Sequence, residues 1–172
     1  MSKNIPEVWL RGPVDGYPEL LQPVVHAVLQ AQEEIHRLME DFPDSLLWDR
    51  PADIANVAFH LQHIAGVLSR MVCYAKGEPL SESQFRYLKN EGVFNESITT
   101  NNLISLLDAA VSDFLKQLSL TDELTLADFR TVGRAKLPST VGGLLFHAAE
   151  HMQRHFGQLL VTVRILKFQD DQ

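Results

Sequence analysis

The sequence predicts an all-α fold: a four-helix bundle with a short extra helix and an irregular N-terminal lead-in. Three observations carry that prediction. Four long stretches repeat apolar residues at spacings of three and four, the period of a helix with one buried face. Pro43, Gly77, Pro79 and Pro138 fall between these stretches and separate them. The chain has 172 residues, 45% hydrophobic and 22% charged, which suits one domain with one packed core, over 1–172.

Residues 1–18 hold Pro6, Gly12, Pro13, Gly16 and Pro18, and read as the lead-in, pinned to the body by Trp9 and Leu10. From Pro23 the helical period begins, with Val24, Val25, Val28, Leu29, Ile35, Leu38 and Met39, and Pro43 marks its far end. Proline suits a first helical turn, where no intrahelical donor is lost. The second helix starts at Ala52 or Asn56 and runs to Ala75 with Val57, Ile64, Val67, Leu68 and Met71 as its apolar positions; Gly77 and Pro79 end it. Ser81 and Ser83 open a short helical piece that reaches Glu91.

A third long helix starts near Thr100 or Asn101 and carries Leu103, Leu106, Leu107, Val111, Phe114, Leu115 and Leu118. Between Thr121 and Pro138 the pattern weakens, and Arg130 to Arg134 reads as an extended excursion. The last helix spans Ser139 to Lys167, capped by Ser139 or Thr140. Gly142 and Gly143 lack any GxGxxG or Walker context, so they read as close packing. Trp48, Phe59, Phe114 and Phe146 read as core aromatics.

Charge and composition remove several function classes. With 22 acidic and 15 basic residues the net charge is −7, which offers no broad basic face for nucleic acid. The single cysteine, Cys73, can form neither an intrachain disulfide nor a thiolate metal knuckle, and reads as a structural thiol. No run approaches the roughly 18 apolar residues of a membrane span. Met1 to Glu7 lacks the apolar core of a signal peptide, so a cytoplasmic location is expected.

The histidines carry the chemistry. Five of the seven fall in two clusters, His60 and His63 on the second helix and His147, His151 and His155 on the last. Positions four apart lie about 40° apart around a helix, so His151 and His155 can aim at one point. His147 continues the stripe but drifts too far to join both on one ion. A neighbouring helix must add a ligand, and the second helix offers His63 or His60. Imidazoles with solvent completing the shell suit zinc, nickel or ferrous iron better than magnesium or calcium. The isolated His26 and His36 read as boundary residues.

The run His151-Met152-Gln153-Arg154-His155-Phe156-Gly157-Gln158-Leu159 resembles the C-terminal signature of the DinB-like (DinB/YfiT-like) metalloenzymes, HxxxH followed by any residue and Gly-Gln. The run from Asn56 through His60 and His63 to Gly66 resembles that family's second-helix signature, in which the ligand lies seven residues after the capping residue. A cap at Asn56 makes His63 the ligand; a cap at Asp53 makes it His60. His63 is the adopted register. The resemblance covers most of residues 20–168, with the motifs in order and 88 residues apart.

The resemblance implies a bundle of up-down-down-up order, homodimers, and a zinc or nickel ion held by His63, His151 and His155. It also implies a thiol-dependent S-transferase or hydrolase that acts on a small electrophilic substrate with a low-molecular-weight thiol as cosubstrate. The alternative is a non-catalytic, stress-related, dimeric metal-binding bundle. His60 and His147 are additional to the simplest family pattern. His60 is assigned as a catalytic proton shuttle, because an unperturbed imidazole titrates near physiological pH. Glu91, ending the short helix, is expected to overhang the site. Glu150 and Arg154 are expected to face away from it.

Overall fold

Asn56 decides where the central helix begins. Its side chain accepts a hydrogen bond from the Phe59 backbone N–H at 2.7 Å, and the helix it caps, α2, runs Val57–Ala75. The computed structural model describes residues 5–170 and 172; the expectation placed on Met1 to Asn4 lies outside them. The other helices are α1 (Gln22–Met39), α3 (Glu82–Asn90), α4 (Thr100–Ser119) and α5 (Val141–Asp170).

Their ends follow from local chemistry. α1 opens with Pro23 in its first turn. Ser81 with Gln84, and Thr99 with Asn102, form capping boxes that satisfy the first free N–H groups of α3 and α4. Thr140 Oγ1 accepts from the Gly143 N–H at 3.0 Å and so caps α5. Gly77, at φ +76, follows the end of α2 in a conformation that side-chain-bearing residues rarely adopt.

The four long helices enclose one continuous core. α2 packs on α5 and α4, and α1 packs on the other flanks of α5 and α4. The core runs from Leu21 on the approach to α1, through Leu61 and Leu68 of α2 and Leu107 and Phe114 of α4, to Leu145 and Leu159 of α5. Thirteen of the nineteen residues of α2 are buried, so its polar members His60, Gln62 and Arg70 must find partners inside the protein.

The uncertain stretch before α5 is a two-stranded antiparallel hairpin, β1 (Phe129–Val132) and β2 (Leu137–Thr140), pairing Phe129 with Thr140 and Val132 with Leu137. Arg130 Nε donates to the Ala75 carbonyl at 2.7 Å, placing a cation at the C-terminal end of α2. Gly142 passes close under Leu126; a Cβ there would approach the Leu126 carbonyl at 3.2 Å, which accounts for glycine by packing.

Two expectations need correction. Trp9 and Leu10 are 60% and 57% exposed and do not hold the lead-in. Val8 does so: its side chain is buried and its N–H donates to Gln30 Oε1, while Arg11 forms a salt bridge with Glu33. Phe146 is not core either, at 63% exposure, because the core face of α5 there is formed by Leu144, Leu145, Ala148 and Ala149. Phe114 is buried, and Trp48 packs partly buried against the core. No described helix is long and apolar enough to cross a membrane.

Candidate metal centre

The α2–α5 contact brings the two histidine clusters face to face. His63 comes from the first half of α2, and His151 and His155 from successive turns of α5. Their ring centroids are 4.5 Å (His63–His155), 4.6 Å (His151–His155) and 5.2 Å (His63–His151) apart. One ligand nitrogen from each lies within 4.8 Å of the others. His63 Nε2 and His151 Nε2 are 3.0 Å apart, close to the ~3.3 Å that two nitrogens span on a tetrahedral zinc with bonds of about 2.0–2.1 Å.

The protonation states suit a cation. Burial, reinforced by repulsion from the neighbouring imidazoles, pushes His155 down to about 3 and lowers His151 as well. Both rings are therefore neutral at physiological pH, with a lone pair available for ligation. The donor set, three imidazoles beside a carboxylate, fits a divalent cation of the borderline class.

The flanking groups hold these rings in place. Glu91 Oε2 accepts from His63 Nδ1 at 2.6 Å, which leaves His63 Nε2 unprotonated and facing His151. Glu91 is almost fully buried, and its other oxygen accepts from Arg70 Nη1 at 2.6 Å, so its charge is paired. Gly66 gives the pair room: a Cβ at that position would collide with Glu91 Oε1 and Arg70 Nη1. The strap after α3 is tied to α2 again where the Gly92 N–H donates to Gln62 Oε1 and the Tyr87 hydroxyl donates to the Gln62 carbonyl. Phe59 stacks on His63 at 5.1 Å and 16°, covering one ring face.

His60 takes a different place from His63. It is 3% exposed, and its Nδ1 lies 3.1 Å from His155 Nδ1. Burial, with the nearby His63, pushes it down to about 4. A ring that resists protonation so strongly is poorly matched to carrying protons near neutral pH. Its geometry is that of a partner that orients His155. His147 sits one turn before His151, its Nδ1 2.7 Å from Glu150 Oε1, and Arg154 holds the other Glu150 oxygen at 2.8 Å. His26 bonds the Gly12 carbonyl and His36 bonds Asp108, away from this cluster. Cys73 contacts Gln84.

Of these neighbours, Glu91 was foreseeable as an overhanging group. Arg70 and Gln62 were not singled out by the sequence, and Phe59 was read there as a core aromatic and not as a ring stacked on His63. The available signal was the run of polar residues on an otherwise apolar helix, each of which requires a partner.

A mostly helical protein that converges three imidazoles from two packed helices belongs to the class of candidate metal-binding helical proteins. The DinB superfamily pattern matches residues 27–159, and the chain belongs to that superfamily. The fold is similar to the crystal structure of a conserved protein from Enterococcus faecalis, with a TM-score of 0.67 and 19% identity over 87% of this chain and 98% of that one. No curated protein matches the chain in sequence.

Proposed function

We propose that the protein is a divalent-metal-dependent enzyme in which His63, His151 and His155 hold zinc or nickel, and which couples a low-molecular-weight thiol, or water, to a small electrophilic substrate. The convergence of three imidazole nitrogens within 4.8 Å, with a buried carboxylate on one of them, carries this reading. When bound, the cation lowers the pKa of a thiol or water so that the nucleophilic anion exists near neutral pH.

The chain's own residues prepare that chemistry. Glu91 fixes the tautomer of His63, and His60 fixes the ring of His155. Phe59 keeps water from the face of His63. A groove of about 460 Å³ lined by Ile54, His60, Arg154, Gly157 and Val161 runs beside the cluster. It falls within the usual range of small-molecule sites, and in this reading it seats the electrophile, its polar end against Arg154. His60 acts as a positioning residue in place of the expected proton carrier.

The same reading takes residues 1–172 as one domain, a bundle of up-down-down-up order working as a cytoplasmic homodimer. The α1–α4–α2–α5 circuit of helix contacts supports the bundle. Exposed Phe146 and Phe168 on α5 supply apolar surface for a second copy.

The test is metal content of untagged protein followed by thiol conjugation to a generic electrophile with several thiols. Near-stoichiometric zinc or nickel and a conjugation rate abolished by His63→Ala and by His155→Ala are expected. Substoichiometric metal with no thermal stabilisation on adding either ion would overturn the reading.

A further inference from the structure

His151 has two ring nitrogens, and the three-histidine cluster uses one. Its Nε2 faces His63 at 3.0 Å, while its Nδ1 is buried and has no hydrogen-bond partner among the described residues. Neither tautomer removes the problem. With Nε2 donating to His63 the orphan is a lone pair, and with Nε2 on a cation the orphan is an N–H. A buried polar atom left in that state is unfavourable, because it has given up its water without gaining a partner.

Close to the same ring lie His147 and Glu150. The His147 and His151 centroids are 5.1 Å apart, and ligand atoms of His147, Glu150 and His151 all lie within 4.8 Å of one another. The spacing i, i+3, i+4 puts all three on one face of α5. His147 and Glu150 are half-exposed, so this position faces solvent. Arg154 Nη2 donates to Glu150 Oε2 at 2.8 Å and at the longer distance of 3.2 Å to Oε1, so Oε1, beside His147, is the less firmly held oxygen and the one placed to ligate.

We propose that His147, Glu150 and His151 form a second divalent-cation site, open to solvent, which shares the His151 ring with the three-histidine centre. An arriving cation replaces the 2.7 Å His147–Glu150 hydrogen bond and takes His147 and His151 as imidazole ligands with one Glu150 oxygen, water completing its shell. Filling both positions at once requires His151 to ligate through both nitrogens and to release its last ring proton. The second ion therefore binds more weakly than the first, with proton release. The shared ring makes the two occupancies depend on each other. The first position rests on the reading given above; the second rests on its own three residues.

Zinc titration of the full-length, metal-stripped protein by calorimetry tests this, with cobalt absorption as a second readout. Two unequal binding events are expected, the second weaker by about tenfold or more. The double substitution of His147→Ala with Glu150→Gln, both at half-exposed positions where folding is not at stake, should remove the weaker event. It should change the tighter one by less than about threefold. His63→Ala with His155→Ala should remove the tighter event and leave the weaker. A single event in the starting protein that persists in the His147→Ala with Glu150→Gln variant, or two events that both survive that double substitution, would overturn the proposal. Loss of the tight event alone from the starting protein would overturn the three-histidine reading and leave this one standing.

Discussion

Glu91 is the residue on which the geometry of His63 depends most directly. It accepts from His63 Nδ1 and is itself neutralised by Arg70. Glu91→Gln keeps the shape but loses the charge and weakens the hold on the tautomer. Zinc affinity, measured by competition with a chromophoric chelator, should fall about 10–100-fold while the fold persists. Unchanged affinity would mean that His63 does not ligate. At this scale the sequence was partly legible. The HxxxH spacing of His151 and His155 fixes their common direction by helix geometry alone, and the cap at Asn56 fixes the register that separates His63 from His60. The pairing of Glu91 with His63 and Arg70 was not, because it depends on the path of a loop. That path is set by the missing side chain at Gly66 and by Gly92 at φ +77, which passes within contact of Phe59.

At the scale of elements, α2 presents the site and its N-terminus is the part to perturb. Asn56 is 6% exposed and caps the helix one turn before His60. Asn56→Ala should cost about 1 kcal/mol of stability in urea unfolding, leaving the slope of the transition unchanged. A loss below a few tenths would show that the Ala58 N–H bond to the Leu47 carbonyl, and not the cap, holds the helix start. Helix limits were readable where capping chemistry marked them, as at Ser81 and Thr140. The lead-in was not. In a short segment broken by prolines and glycines no periodicity ranks one apolar residue over another, so Val8 could not be told from Trp9 and Leu10. Phe146 was misread for a related reason: hydrophobicity alone does not report which face of α5 meets the core.

At the scale of the whole molecule, burying neutral imidazoles makes the metal-free protein sensitive to acid. Unfolded, His60 and His155 take up protons near their ordinary value of 6.5; folded, they resist until about 4 and about 3. The unfolded state thus binds more protons across that window. The stability associated with the neutral rings is fully present above about pH 6.5 and is lost as pH falls through the window. Chelator-treated protein should show a denaturation midpoint that declines steadily from about pH 6.5 to about pH 4, and His60→Leu should make that decline shallower throughout, leaving the part due to His155. A midpoint unaffected by pH across this range would contradict the burial described for both rings.

The contact between His63 and His151 also has a meaning for how the chain is threaded. The two residues are 88 positions apart, and everything between them, α3, α4 and the hairpin, lies inside the loop that their meeting closes. Closing so long a loop costs only modestly more than closing a short one, but it happens only after α2 and α5 have docked across the core. An ion gripping both helices would act as a late-fastened clasp. It would leave the rate of folding nearly unchanged and hold the finished protein shut by slowing its opening.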